Sequence, residues 1–137
     1  MIKVNELRIG NILNYTTAEN DIILTDLEWQ DIQWISEDEE GFNLANKPIK
    51  LTEDWLLYFG FEKLESDLNI EYKIRLHEDF YFMINFDKNS QSYDAGYYEF
   101  DHEIGSMVFN NFTNGVHTVH QLQNLYFALR GQELKLK

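Results

Sequence analysis

Between Ile70 and Leu76 the chain alternates strictly, with Ile70, Tyr72, Ile74 and Leu76 on one face and Glu71, Lys73 and Arg75 on the other. A period of two suits a strand with one wet face and is incompatible with a helix. After a turn at His77–Asp79, the residues Phe80, Phe82, Ile84 and Phe86 share a face, while Tyr81 and Met83 make the opposite face apolar as well. That pattern predicts a central strand covered on both sides. A loop over Asp87–Gly96 leads to a strand at Tyr97–Asp101, a turn over His102–Ser106 and a strand at Met107–Phe112. The result is a four-stranded antiparallel meander.

The C-terminal segment supplies a cover for it. Thr118 and Gln121 have the spacing of a capping box, Leu122, Leu125, Tyr126 and Leu129 recur at helical spacing, and Gly131 suits a left-handed stop. Burying Leu122, Leu125 and Leu129 against the meander would contribute about 1.5–3 kcal/mol each before entropy is charged. Leu134 and Leu136 alternate with Lys135 and Lys137, which predicts a short final strand.

The N-terminal half is read as a small twisted sheet or partly closed barrel. Leu7–Tyr15 is rich in β-branched residues around Gly10-Asn11, the signature of a strand with a bulge. Ile23, Thr25, Leu27 and Trp29 alternate with polar residues; Ile32 and Trp34 resume out of phase, which places a break near Gln30-Asp31. Glu37–Gly41 reads as a turn, Phe42 and Leu44 as more sheet, and Lys47-Pro48 as its end. A short helix follows, with Thr52 as N-cap, Glu53 and Asp54 at its positive end, and Gly60 closing it. The expected class is α+β: one compact unit over 1–137, with a β-rich sub-region 1–65 and a meander-plus-helix sub-region 66–137. Lys63–Asp67 is the only seam, because no Gly/Ser/Pro-rich linker intervenes.

Composition narrows function by exclusion. The 137 residues carry a formal charge of −13, with fourteen Asp/Glu against five Lys/Arg over residues 1–65 alone. Direct binding to a nucleic-acid backbone is disfavoured, since that affinity comes from cations displacing counterions. A basic protein partner is compatible; the bland alternative is that the charge merely keeps a chain with 21 aromatic residues in solution. Absence of cysteine removes disulfides, thiolate zinc sites and cysteine nucleophiles together. No signal-peptide h-region and no membrane-length apolar run is found, so a cytoplasmic setting is expected. Apolar positions on both sides of Phe80–Phe86 leave room for a homodimer.

No catalytic or cofactor signature stands out, and no cofactor is expected. His117 and His120 at i, i+3, with His102-Glu103 in the preceding turn, are the weak candidates for a metal site and, through it, a metal-assisted hydrolase. Packing or capping explains them more simply. Asp87–Tyr98 begins like a calcium loop but has Ser92 where glycine and Tyr98 where glutamate belong. Ser106 lacks the glycines of a nucleophile elbow. The run Glu37, Asp38, Glu39 and Glu40 is either a solvated turn or a partner-binding patch that imitates phosphates, with Trp29 and Trp34 as its anchors.

Val119–Leu134, Glu6–Asn11 and Pro48–Phe61 give the chain a further character: it resembles a group of small hypothetical proteins of bacterial genomes, prophages and phages. The resemblance implies a phage or mobile-element setting, and accessory phage proteins of this size often bind host proteins. It carries no assigned activity and no site residues. The expected function is therefore a non-enzymatic acidic protein-binding module, with charge-mimicking inhibition of a host nucleic-acid-directed system as the alternative.

Overall fold

In chain order, a 3-10 turn (Val4–Glu6) is followed by β1 (Ile12–Thr16), β2 (Ile22–Asp26), α1 (Trp29–Glu37), α2 (Glu39–Ala45), β3 (Asn46–Lys47) and α3 (Glu53–Tyr58). Then come β4 (Glu62–Glu65), β5 (Asn69–His77), β6 (Phe80–Asp87), β7 (Ser92–Asp101), β8 (Ser106–Asn114) and α4 (Val119–Arg130). The structure, a computed structural model, describes residues 2–137, and over 112–114 the backbone alone. Its class is α+β, with two open sheets among the described residues. Two compact units result, Met1–Lys50 with Thr118–Glu133 and Leu51–His117 with Leu134–Lys137.

The first unit is built on a three-stranded sheet in the order β2-β1-β3. Gly10, at φ +94°, opens a bulge in which Gly10 N–H donates to the Leu27 carbonyl and Leu27 N–H to that of Asn11, both at 2.8 Å. The left-handed conformation is one that only glycine adopts without strain. Ile2, Leu13, Leu27 and Phe42 form the core, with Leu7, Trp34 and Ile35 packed against it.

Residues 29–45, expected to be sheet interrupted by a turn at Glu37–Gly41, form the two helices α1 and α2. Asp31 accepts from the N–H of Glu28 at 2.9 Å at the start of α1, and Asp38 accepts from the N–H of Gly41 at 3.0 Å at the start of α2. The acidic run read as a turn is therefore a helix end followed by a helix start, where carboxylates complement the positive end of the dipole. Trp34 meets Phe42 edge-on at 5.4 Å and ties the two short helices together. The alternation of Ile32 and Trp34 is outweighed by the packing of Trp34 and its neighbour Ile35, both half-buried, against that core.

The helix α4 starts and stops as its sequence predicts. Thr118 Oγ1 accepts from Gln121 N–H and Gln121 Oε1 from Thr118 N–H, both at 3.3 Å, while Gly131 sits at φ +69°. The helix belongs to the first unit and packs there on β1. Its buried residues are Val119, His120, Leu122 and Gln123, whereas Leu125 and Tyr126 are half-buried and Leu129 is exposed. The polar contacts of Gln123 and Asn124 to the bulge, described below, turn the helix to that face.

The second unit carries an antiparallel meander of five strands in the order β4-β5-β6-β7-β8. As its two apolar faces require, β6 is inside the sheet, and Phe82, Met83 and Ile84 are buried in succession. The extra strand β4 accounts for most of the supposed seam at Lys63–Asp67. The Asp87–Gly96 loop contracts to a tight turn, because Gln91 N–H donates to the Asp87 carbonyl and Asn89 N–H to Asp87 Oδ1, each at 2.8 Å. The short helix α3 closes with Phe61 N–H on the Leu56 carbonyl at 3.0 Å. No final strand forms; Leu134 is buried and Lys137 N–H donates to the Tyr58 carbonyl at 2.8 Å.

Candidate protein-contact surface

The α1–α2 corner presents the acidic run on short rigid elements. Glu37 ends α1 and accepts from Gln33 Nε2 at 3.1 Å; Asp38 is held by its cap to Gly41; Glu39 and Glu40 stand exposed in the first turn of α2. Gly41 has no Cβ, and one placed there would collide with the Asp38 carboxylate. Of the two tryptophans, Trp34 is committed to the core, while Trp29 is 62% exposed at the start of α1.

Beside the corner lies a groove of about 460 Å3 lined by Glu39, Glu40, Asn43, Leu44 and Lys47. Asn43 is buried; its Nδ2 donates to the Glu39 carbonyl at 3.2 Å, and its Oδ1 has no partner among the described residues. Lys47 is tied down, with Nζ donating to the Asn43 carbonyl at 2.8 Å. Leu44 is among the most exposed large apolar residues in the chain, at 72%. Two carboxylates and a bare leucine thus share one concavity. These are groups that complement a cation on an apolar stem.

The three histidines are not gathered. His102 is exposed in the β7–β8 turn with its ring edge-on to Phe100, and His117 is exposed with its ring near Gly115. His120 is buried, and neither of its ring nitrogens has a hydrogen-bond partner among the described residues. Glu6 Oε2 lies 3.7 Å from its Nε2, close enough to favour the imidazolium and too long for a hydrogen bond. Burial dominates and moves the His120 pKa below its usual value, with Glu6 opposing. Among the described residues no three His, Asp or Glu side chains converge as a metal requires. No helix among them is long and apolar enough to cross a membrane.

Compared with known protein families, curated proteins and solved structures, this chain matches none. Most of the polar geometry outside the groove is architectural.

In the second unit, the buried Tyr72 hydroxyl donates to Glu53, and Lys63 Nζ stands 2.9 Å from the same carboxylate. Lys88 bonds Glu65 at 2.8 Å. The Tyr72 bond, then Lys63, hold the Glu53 pKa below the ordinary carboxylate value; Lys88 does the same for Glu65. Burial, reinforced by Glu53, pushes the Tyr72 phenol well above its usual range. This network pins α3 to the edge of the meander through β4 and β5.

In the first unit, Arg8 pairs with Glu133, donates from Nε to Asn124 Oδ1 at 3.2 Å, and lies 4.0 Å over the Phe127 ring. Asn124 Oδ1 also accepts from Asn11 Nδ2 at 2.9 Å. The sequence contains these residues, but nothing in the spacing of Arg8 and Asn11 from Asn124 and Glu133 announces contacts across more than a hundred positions.

Proposed function

We propose that this chain is a non-enzymatic acidic protein-binding module which seats a basic side chain of its partner in the groove on α2. One observation carries the reading: Glu39 and Glu40 wall a concavity that also exposes Leu44, while Lys47, the cation in its lining, is occupied by the Asn43 carbonyl. A lysine or arginine entering there would pack its stem on Leu44 and bring its charge to the carboxylates. Trp29, exposed on the preceding helix, offers further contact area of the kind that dominates interface energetics. The setting suggested by the resemblance is that of a phage or mobile-element accessory protein acting on a host protein.

The stretch from Ile9 to Asn46 contains nine Asp or Glu and no Lys, Arg or His. This supports a narrower second reading, in which the acidic surface occupies the phosphate-binding groove of a host nucleic-acid enzyme. Calorimetric titration with a short arginine-rich peptide tests the basic-partner reading. Wild type should bind it with an affinity that falls steeply with salt, and the double variant Glu39→Lys/Glu40→Lys should lose binding. Equal affinity of both proteins at low salt would refute it. Inhibition of a purified nuclease that DNA competes away would favour the mimicry reading.

A further inference from the structure

We infer that the outer edge of β2 is a docking strand, which accepts an extended apolar segment of a partner flanked by basic residues as an added antiparallel strand. The register fixes which backbone groups are free. Leu27 exchanges bonds with the Gly10-Asn11 bulge on the β1 side, and Asp21 accepts from Thr17 N–H on that same side. Counting by two between them, Ile23 and Thr25 face β1, so Ile22, Leu24 and Asp26 point their N–H and C=O groups away from it. Among the described residues no strand pairs with that edge.

The side chains are equally uncovered. Ile22, Ile23 and Leu24 are exposed by 69%, 48% and 55%, although consecutive residues of a strand point to opposite faces. An edge with both faces apolar is one that folded proteins ordinarily cover or guard. Here the guards are charges, since Asp21 and Asp26 bracket the apolar residues and both are exposed.

Those charges select the occupant. A second copy pairing antiparallel about Leu24 would set Asp26 opposite the other copy's Ile22, next to its Asp21, twice per dimer. Each copy would also bring its own charge of −13. Like charges side by side on a sheet edge are unfavourable. A strand with lysine or arginine on either side of an apolar centre instead meets a carboxylate at both ends, while its main chain satisfies the free N–H and C=O groups. This surface is distinct from the groove on α2 and does not depend on it.

The test is amide hydrogen exchange with a synthetic peptide of alternating valine and threonine bracketed by lysines, alongside the same peptide bracketed by glutamates. With the lysine peptide, the amides of Ile22, Leu24 and Asp26 should gain protection of about tenfold or more, and those of Ile23 and Thr25 should change little. The glutamate peptide should bind at least about tenfold more weakly, since attraction at two ends becomes repulsion. Leu24→Pro removes an outward N–H and spares the β1 ladder, so it should abolish docking in a protein that still melts cooperatively. Leu24→Thr keeps that N–H and should retain docking. Protection at Ile22, Leu24 and Asp26 that rises with protein concentration without peptide would overturn the proposal in favour of self-pairing, and no protection with either peptide would overturn it outright. Neither result bears on Glu39→Lys/Glu40→Lys, which tests the groove.

Discussion

Gln123 completes the hydrogen bonding that Gly10 leaves open. The bulge turns the Gly10 carbonyl out of the sheet ladder, the alternation of β1 points the Ile12 N–H away from β2, and one buried carboxamide meets both, donating through Nε2 at 3.1 Å and accepting through Oε1 at 2.9 Å. A glutamine on a helix thereby acts as a short length of missing strand. Replacing it with leucine, of similar size, would strand a buried donor and a buried acceptor. Gln123→Leu is expected to destabilise the protein by about 2–4 kcal/mol in urea unfolding. A loss within experimental error would mean that water reaches the bulge.

The bulge itself makes a second prediction. Gly10 is at φ +94°, and a Cβ there would meet the Glu133 carboxylate at 3.3 Å. Gly10→Ala should lower stability by about 1–2 kcal/mol, read as a drop in melting temperature. Alanine at the neighbouring exposed Ile9 serves as the control and should have little effect.

His120 makes stability depend on pH in a definite direction. Burial lowers its pKa in the folded state from 6.5, so below about that pH the unfolded chain takes up a proton that the folded chain refuses. Stability should therefore fall as pH drops from 6.5 towards the depressed folded value, and the imidazole should contribute no slope above 6.5. Chemical unfolding across this range should show the decline in wild type and a flatter profile in His120→Gln. Parallel profiles would place the pH dependence elsewhere.

The Tyr72–Glu53 bond is open to a titration. With the Tyr72 hydroxyl as the largest single cause of the lowered Glu53 pKa and Lys63 as the other, Tyr72→Phe and Lys63→Met should each move that pKa up towards the ordinary carboxylate value of 4.5. Carboxyl carbon shifts followed by NMR measure both. An unchanged Glu53 in Tyr72→Phe would show that Lys63 alone sets it.

Regular periodicity was legible wherever one pattern acted alone. The alternation at Ile70–Leu76, the doubly apolar Phe80–Phe86 and the Thr118–Gln121 capping box all appear as their residues imply. Trp29–Ala45 misled because acidic residues serve equally as solvated turns and as helix starts, and the choice falls to Trp34 meeting Phe42. The partner of α4 was hidden for a related reason: Gln123 and Asn124 read as wet positions until a bulge over a hundred residues earlier supplies their bonds. For the candidate site, the carboxylates Glu37–Glu40 and Trp29 could be named from sequence. The groove walls Asn43, Leu44 and Lys47, and the bare edge of β2, could not, since exposure of an apolar residue depends on what the fold leaves uncovered.

Amide chemical-shift mapping of the labelled protein during titration with the arginine-rich peptide tests the central claim most directly. The account predicts saturable shifts confined to Glu39, Glu40, Asn43, Leu44 and Lys47 and their immediate neighbours, including the Asn43 side-chain amide, and lost in Glu39→Lys/Glu40→Lys. Shifts spread evenly over exposed carboxylates throughout the chain, or none at these five residues, would contradict it.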